Sequence, residues 1–224
     1  RREESFLRAD EPLGKEYWAW HNSAANYAIA NRHMIARAVD AATRQIFGRG
    51  TEVFYEISHN LVQEETLVLP DGTTTKGFVH RKGATRAMPA GHPDLVRTKW
   101  AETGHPCLIP GSMYEGAAIL YPLEGAYSSG CSVNHGSGRA MARGDARRDL
   151  AEVQEIVNEE MAEIVRVFDG GEVKGIVCNH DNIPLVECRY VYKDLDTVLD
   201  ILDANGIARI DTRLFPVANI KGDD

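Results

Sequence analysis

The sequence predicts an α+β fold, with mixed helices and strands in a single compact domain, and three observations carry that expectation. Segments with apolar residues at every third or fourth position are interleaved with short strand-like runs along the whole chain. At 224 residues and 24.8 kDa the chain can bury one sizeable core, or at most two small ones. No internal repeat, low-complexity stretch or linker divides it.

The elements follow in order. Residues 16–47 read as a long helix: alanine is abundant, and Trp20, Ala24, Tyr27, Ala28, Met34, Ile35, Ala38, Val39, Ala42 and Ile46 recur at helical spacing before Gly48 and Gly50. A strand is expected over 52–57. A hairpin should follow, its arms at 66–69 and 75–79 flanking Pro70-Asp71-Gly72. Residues 83–113 are rich in Gly and Pro and poor in periodicity, and a connection that long inside a domain points to function. Residues 117–121 read as a buried strand. An amphipathic helix is expected over 145–168, with Leu150, Val153, Ile156, Val157, Met161, Ile164 and Val165 on one face and Gly170-Gly171 as its stop. A strand at 173–178, a helix at 194–204 ended by Asn205-Gly206, and an extended run over 208–220 complete the chain.

Composition narrows the class of function. Hydrophobic residues make up 43% and charged residues 26%, an ordinary globular balance. No run reaches the ~18 apolar residues that suggest a membrane span, and no signal peptide is expected ahead of the first structured segment. The cysteines Cys107, Cys131, Cys178 and Cys188 are scattered without a CxxC pair, which suggests a reducing, cytoplasmic setting. The net charge of −8 argues against a general nucleic-acid coat. It leaves room for a local basic groove, because the arginines and lysines of 79–86 and 139–148 sit in glycine-rich stretches while acidic residues concentrate in 152–169 and 194–203. The chain opens at Arg1, not at methionine, and is expected to be part of a longer product.

The most informative stretch is 130–143, GCSVNHGSGRAMAR. Glycines allow the backbone to approach a phosphate and aim N–H groups at it, and Arg139 and Arg143 add charged forks that match phosphate geometry. His135 then stands where an imidazole could attack phosphorus. Taken alone, the stretch fits a polar turn opening a helix equally well.

Several segments together go further. They are Asn26 to Arg32, His59-Asn60, VHRKGATRA at 79–87, IPGSM at 109–113, NHGSGR at 134–139, Tyr192-Lys193-Asp194 and the terminal Ile220-Lys221-Gly222. In this order they resemble the RtcB family of GTP-dependent RNA-splicing ligases, read as the C-terminal half of a member. The resemblance implies joining of RNA 3′-phosphate or 2′,3′-cyclic phosphate ends to 5′-hydroxyl ends, with tRNA halves or damaged RNA as partners and GTP and Mn²⁺ (two ions) as cofactors. It makes His135 the guanylylated nucleophile and His59 a metal ligand, with Asn60 beside the triphosphate. Pro110, Gly111, Ser112 and Met113 become the nucleotide loop, near Ala117. Gly136, Ser137 and Gly138 would wrap phosphate and ribose, Tyr192 and Lys221 would meet the base, and Arg139 and Arg143 the RNA phosphate.

The chain also departs from the family pattern. The family's Asp-x-x-Cys pair and its GNHFxE-type and HSGSRG-type histidines are absent, so the metal-binding half is expected in a separate chain or outside these residues. Ala117 stands where a serine is usual, Ser137 where alanine is common, and Tyr114-Glu115 replace a small Gly-Thr pair. The region 187–190 lacks the usual proline. A partial-reaction enzyme, opening cyclic phosphates or capping ends with GMP, and a catalytically inactive RNA-end-binding relative remain alternatives.

Overall fold

In the computed structural model the chain forms two compact units, residues 1–61 and 62–224. The structure describes residues 6–58, 60–69, 71–168 and 171–220.

The first unit is built on helix α1 (Pro12–Phe47), longer at its start than the periodicity suggests because Pro12 occupies the first turn, where its missing N–H costs nothing. Gly48 ends it in the left-handed conformation at φ 71°, donating its N–H to Arg44 O. Residues 52–57 form no strand; the segment is tied to α1 through side chains. Asp40 accepts from the Thr51 N–H at 2.7 Å, and Arg32 holds Glu56 and the Ser58 hydroxyl. The large residues that carry the helical period, Trp20, Tyr27, Met34, Ile35, Val39 and Ile46, are exposed. The half-buried positions Trp18, His21, Ala25, Ile29, Arg32 and Ala36 line a different face.

The second unit centres on a three-stranded antiparallel sheet, ordered β10-β5-β4, from β4 (Cys107–Pro110), β5 (Ala117–Pro122) and β10 (Ala208–Leu214). Helix α4 (Leu195–Ala204) packs on this sheet, burying Leu195, Leu199 and Leu202 against Ile109, Ala118, Leu120 and Ala208. Asp194 caps the helix by accepting from the Thr197 N–H at 2.7 Å, and the chain leaves it through Asn205 and Gly206 as expected. The hairpin arms are β1 (Leu61–Val68) and β2 (Thr74–Arg81), with Pro70 outside the described residues. A short ladder pairs β3 (Ala84–Arg86) with β6 (Ser132–Asn134).

The expected helix over 145–168 is instead several elements. Helix α2 (Arg143–Asp149), a 3-10 turn (Ala151–Val153) and helix α3 (Gln154–Glu163) lead into strand β7 (Val165–Phe168). The last segment pairs with β8 (Gly171–Lys174), so backbone pairing overrides the helical reading of a short apolar run whose valines favour an extended chain. Likewise 173–178 divides between β8 and β9 (Val177–Cys178), and 208–220 between β10 and β11 (Ala218–Asn219), which pairs with β9 in parallel. Val157, Met161, Ile164, Ile176, Ile183, Cys188 and Val191 form a second core beneath these pieces.

Candidate nucleotide site

Three backbone segments converge on His135. Strand β6 delivers it to an exposed turn, where its N–H donates to Gly83 O at 3.3 Å. Asn134 Nδ2 donates across the turn to Gly136 O at 2.7 Å. The Ser137 N–H donates to Pro110 O at 2.9 Å, and a side chain at Gly136 would place Cβ 3.0 Å from that same oxygen. Gly138 adopts φ 83° and its carbonyl accepts from the Lys193 N–H at 2.9 Å. The glycines thus permit close packing between the histidine turn, the loop after β4 and the segment before α4.

That loop, residues 111–116, is fixed from inside. Gly111 N–H donates to Gly116 O at 2.7 Å, and Gly116, at φ 84°, passes so near β10 that a Cβ would lie 2.1 Å from Leu214 O. Ser112 is buried. Its N–H and hydroxyl donate to Glu115 Oε2 at 3.2 and 3.1 Å, while Glu115 Oε1 accepts from the Leu195 N–H at 3.1 Å. Glu115 is therefore a strut between the loop and the N-terminus of α4, where the helix dipole favours negative charge. Its charge points into the fold. The Ser-x-x-Glu spacing was a visible local signal for this contact.

Pro110, Gly111, Ser112, Met113 and Ala117 line one side of a cleft of about 330 Å³, closed by Leu214, Phe215 and Pro216 and by Glu187 and Asn219. Five anticipated nucleotide contacts thus share one cavity, on the scale of small-molecule sites. Asn219 and Glu187 join them without any local sequence signal. Tyr192 stands behind Glu187: its hydroxyl donates to Glu187 Oε2 at 2.7 Å, and burial followed by that hydrogen bond raises its pKa, keeping the phenol protonated.

Arg139 is committed to the protein. Its Nε, Nη1 and Nη2 donate to Met141 O, the Tyr192 hydroxyl and Val186 O at 3.1, 2.9 and 2.8 Å, and its guanidinium lies 4.9 Å from the Tyr192 ring centre. In this arrangement it staples the turn to residues 186–192. Arg143, exposed at the start of α2, lines a second and larger cleft that shares Glu187 with the first. Asn60 belongs to the first unit and has φ 58°, a conformation asparagine tolerates. His59 and Lys221 lie outside the described residues.

The basic motif at 79–87 also has a structural part. Arg81 forms a two-pronged, buried pair with Glu65 at 2.6 and 2.8 Å and donates to Ser132 Oγ at 2.9 Å, tying β1 and β2 to the strand that carries His135. Its charge is consumed inside the fold.

The family profile described as tRNA-splicing ligase RtcB matches residues 1–222. The chain belongs to the RtcB family. It is 34% identical over 228 residues to the tRNA-splicing ligase RtcB of Aeropyrum pernix, covering 99% of this chain and 44% of that protein. Against the tRNA-splicing ligase RtcB of Thermococcus kodakarensis the identity is also 34%, over 93% of this chain and 42% of the relative. The RNA-splicing ligase RtcB of Mycobacterium bovis matches at 34%, over 94% and 46%. The chain therefore spans less than half the length of these RtcB relatives. Among its described residues no three His, Cys, Asp or Glu side chains are grouped to hold a metal ion; His59, the anticipated ligand, is not among them. No helix among them is long and apolar enough to cross a membrane.

Proposed function

We propose that this chain supplies the nucleotide cleft and the nucleophile of an RNA ligase, which joins a 3′-phosphate or 2′,3′-cyclic phosphate end to a 5′-hydroxyl end and consumes GTP. The supporting observation is the exposed His135 on a glycine turn packed against Pro110, the edge of the 330 Å³ cleft. An imidazole there can reach a phosphate bound beside the turn, while the cleft takes the nucleoside.

In this reading a ring nitrogen of His135 attacks the α-phosphorus of GTP. The new N–P bond forms as the bond to pyrophosphate breaks. The GMP group then passes to the RNA 3′-phosphate, and the 5′-hydroxyl displaces it. Glu115 and Arg139 act on either side by fixing the loop and the turn, so the groups are positioned before the ligand arrives. Arg143 meets the phosphate of the RNA end. Mn²⁺ belongs to this reading through the family alone, with His59 as the ligand this chain would contribute.

The test is labelling with GTP carrying isotope in its α-phosphate, with Mn²⁺, followed by a denaturing gel. The assay uses the 224-residue chain, with and without the remaining part of an RtcB domain. A covalent band that disappears in His135→Ala is the expected result. No band in either preparation would leave an RNA-end-binding relative without ligase chemistry.

A further inference from the structure

The geometry points to the second cleft as a track for the RNA strand behind its reacting end, with Arg147 and His180 as phosphate contacts beyond Arg143. The inference rests on the reading that Arg143 meets the terminal phosphate. The cleft has a volume of about 920 Å³, far more than a phosphate group needs, and it adjoins the nucleotide cleft at Glu187. An RNA end seated at Arg143 would therefore have its next nucleotides beside this cavity.

One wall is α2. Arg143 and Arg147 both line the cleft and stand four residues apart, so they share a helix face with a rise of ~6 Å between them. That separation suits successive phosphates of an extended strand. The acidic residues of α2 are engaged elsewhere: Asp145 and Asp149 accept from Arg148 at 2.9 and 2.7 Å, and none of these three lines the cavity. A second wall is formed by residues 180–187, which contribute His180, Pro184 and Leu185 to the lining.

This wall is preorganised. Gln154 Nε2 donates to Ile183 O at 2.9 Å, and Asn158 Oδ1 accepts from the Ile183 N–H at 3.0 Å. The cleft also contains two carboxylates, Asp181 and Glu187. Glu187 accepts from the Tyr192 hydroxyl, whereas Asp181 is exposed at the wall. The lining is thus not a uniform basic patch. It favours a strand whose phosphates align with Arg143, Arg147 and His180 over a non-specific polyanion.

The experiment measures binding of the 224-residue chain to two probes, a single-stranded pentanucleotide with a 3′-phosphate and a mononucleoside 3′-phosphate, over a range of salt. Arg147→Ala and His180→Ala should weaken the pentanucleotide severalfold, with Arg147→Ala lowering its salt dependence by about 0.7 in the log–log slope for one lost single-strand phosphate contact. Neither variant should change binding of the mononucleotide. Circular dichroism checks that both remain folded. If both variants bind the pentanucleotide like the parent, or lose the two probes equally, the track is wrong. If Arg143→Ala also leaves both probes unaffected, the end-binding reading fails with it; an effect of Arg143→Ala alone would overturn only the track.

Discussion

At the scale of single residues, burial decides protonation. His105 is 6% exposed, and burial, followed by Arg86, His92 and Arg81, pushes its pKa from 6.5 down to about 3. His92 is fully buried and is lowered for the same leading reason. Both imidazoles are neutral in the fold but take up protons in the unfolded chain below about pH 6.5. Their stability contribution is therefore complete above that pH and is lost as pH falls toward the folded value. His105 should account for about 1.4 kcal/mol of lost unfolding free energy per pH unit below 6.5. Urea unfolding between pH 5 and pH 7 should show this decline, with a shallower one in His105→Gln; equal slopes would show that the histidine is not held neutral. Ser137 illustrates another cost of burial: its hydroxyl has no hydrogen-bond partner among the described residues, so alanine there removes an unsatisfied group.

At the scale of elements, the Glu65–Arg81 pair is the joint between the β1–β2 hairpin and β6. Both side chains are about 95% buried, so removing one leaves a charge stranded out of water. Glu65→Ala should cost about 3–5 kcal/mol in urea unfolding. The double change Glu65→Leu with Arg81→Met should cost much less than the sum of the single changes. Additive losses would mean that the pair is not the joint. Because β6 ends one residue before His135, the single variant should also loosen the turn, read as faster amide exchange at His135 and Ser137.

For the whole molecule, the four thiols report how the cores close. Cys107 is pushed up to about 12 and Cys131 to about 11, each chiefly by burial, and burial also raises Cys188. A thiol reacts as its thiolate, so iodoacetamide at pH 8 should modify only the half-buried Cys178 in the folded chain and all four cysteines after unfolding. Mass spectrometry of the alkylated peptides distinguishes the two states. Early modification of Cys107 or Cys131 would show that the central sheet and its neighbours open in the native state. Three of the four cysteines serve as small buried apolar groups in the cores.

The interleaved α+β class, the long first helix, the Asn205-Gly206 stop and the Gly-Ser-Gly turn were legible because each depends on residues a few positions apart. Glycine conformation, helix period and capping are short-range constraints, and so is the Ser112–Glu115 contact. The functions of the charges were not legible. Arg81 meets Ser132 51 residues away, Arg139 meets Tyr192 53 away, and Glu115 meets Leu195 80 away. An arginine in a glycine-rich motif has the same local signature whether it binds phosphate or holds two strands together. The same limit applied to residues 165–168, whose apolar spacing fits a helix until the pairing with 171–174 supplies backbone hydrogen bonds. The sequence by itself determined the turns, the caps and the family motifs. Tertiary structure alone decided which charges became struts and which two clefts meet at Glu187, because burial and distant partners set the free energy of a charge.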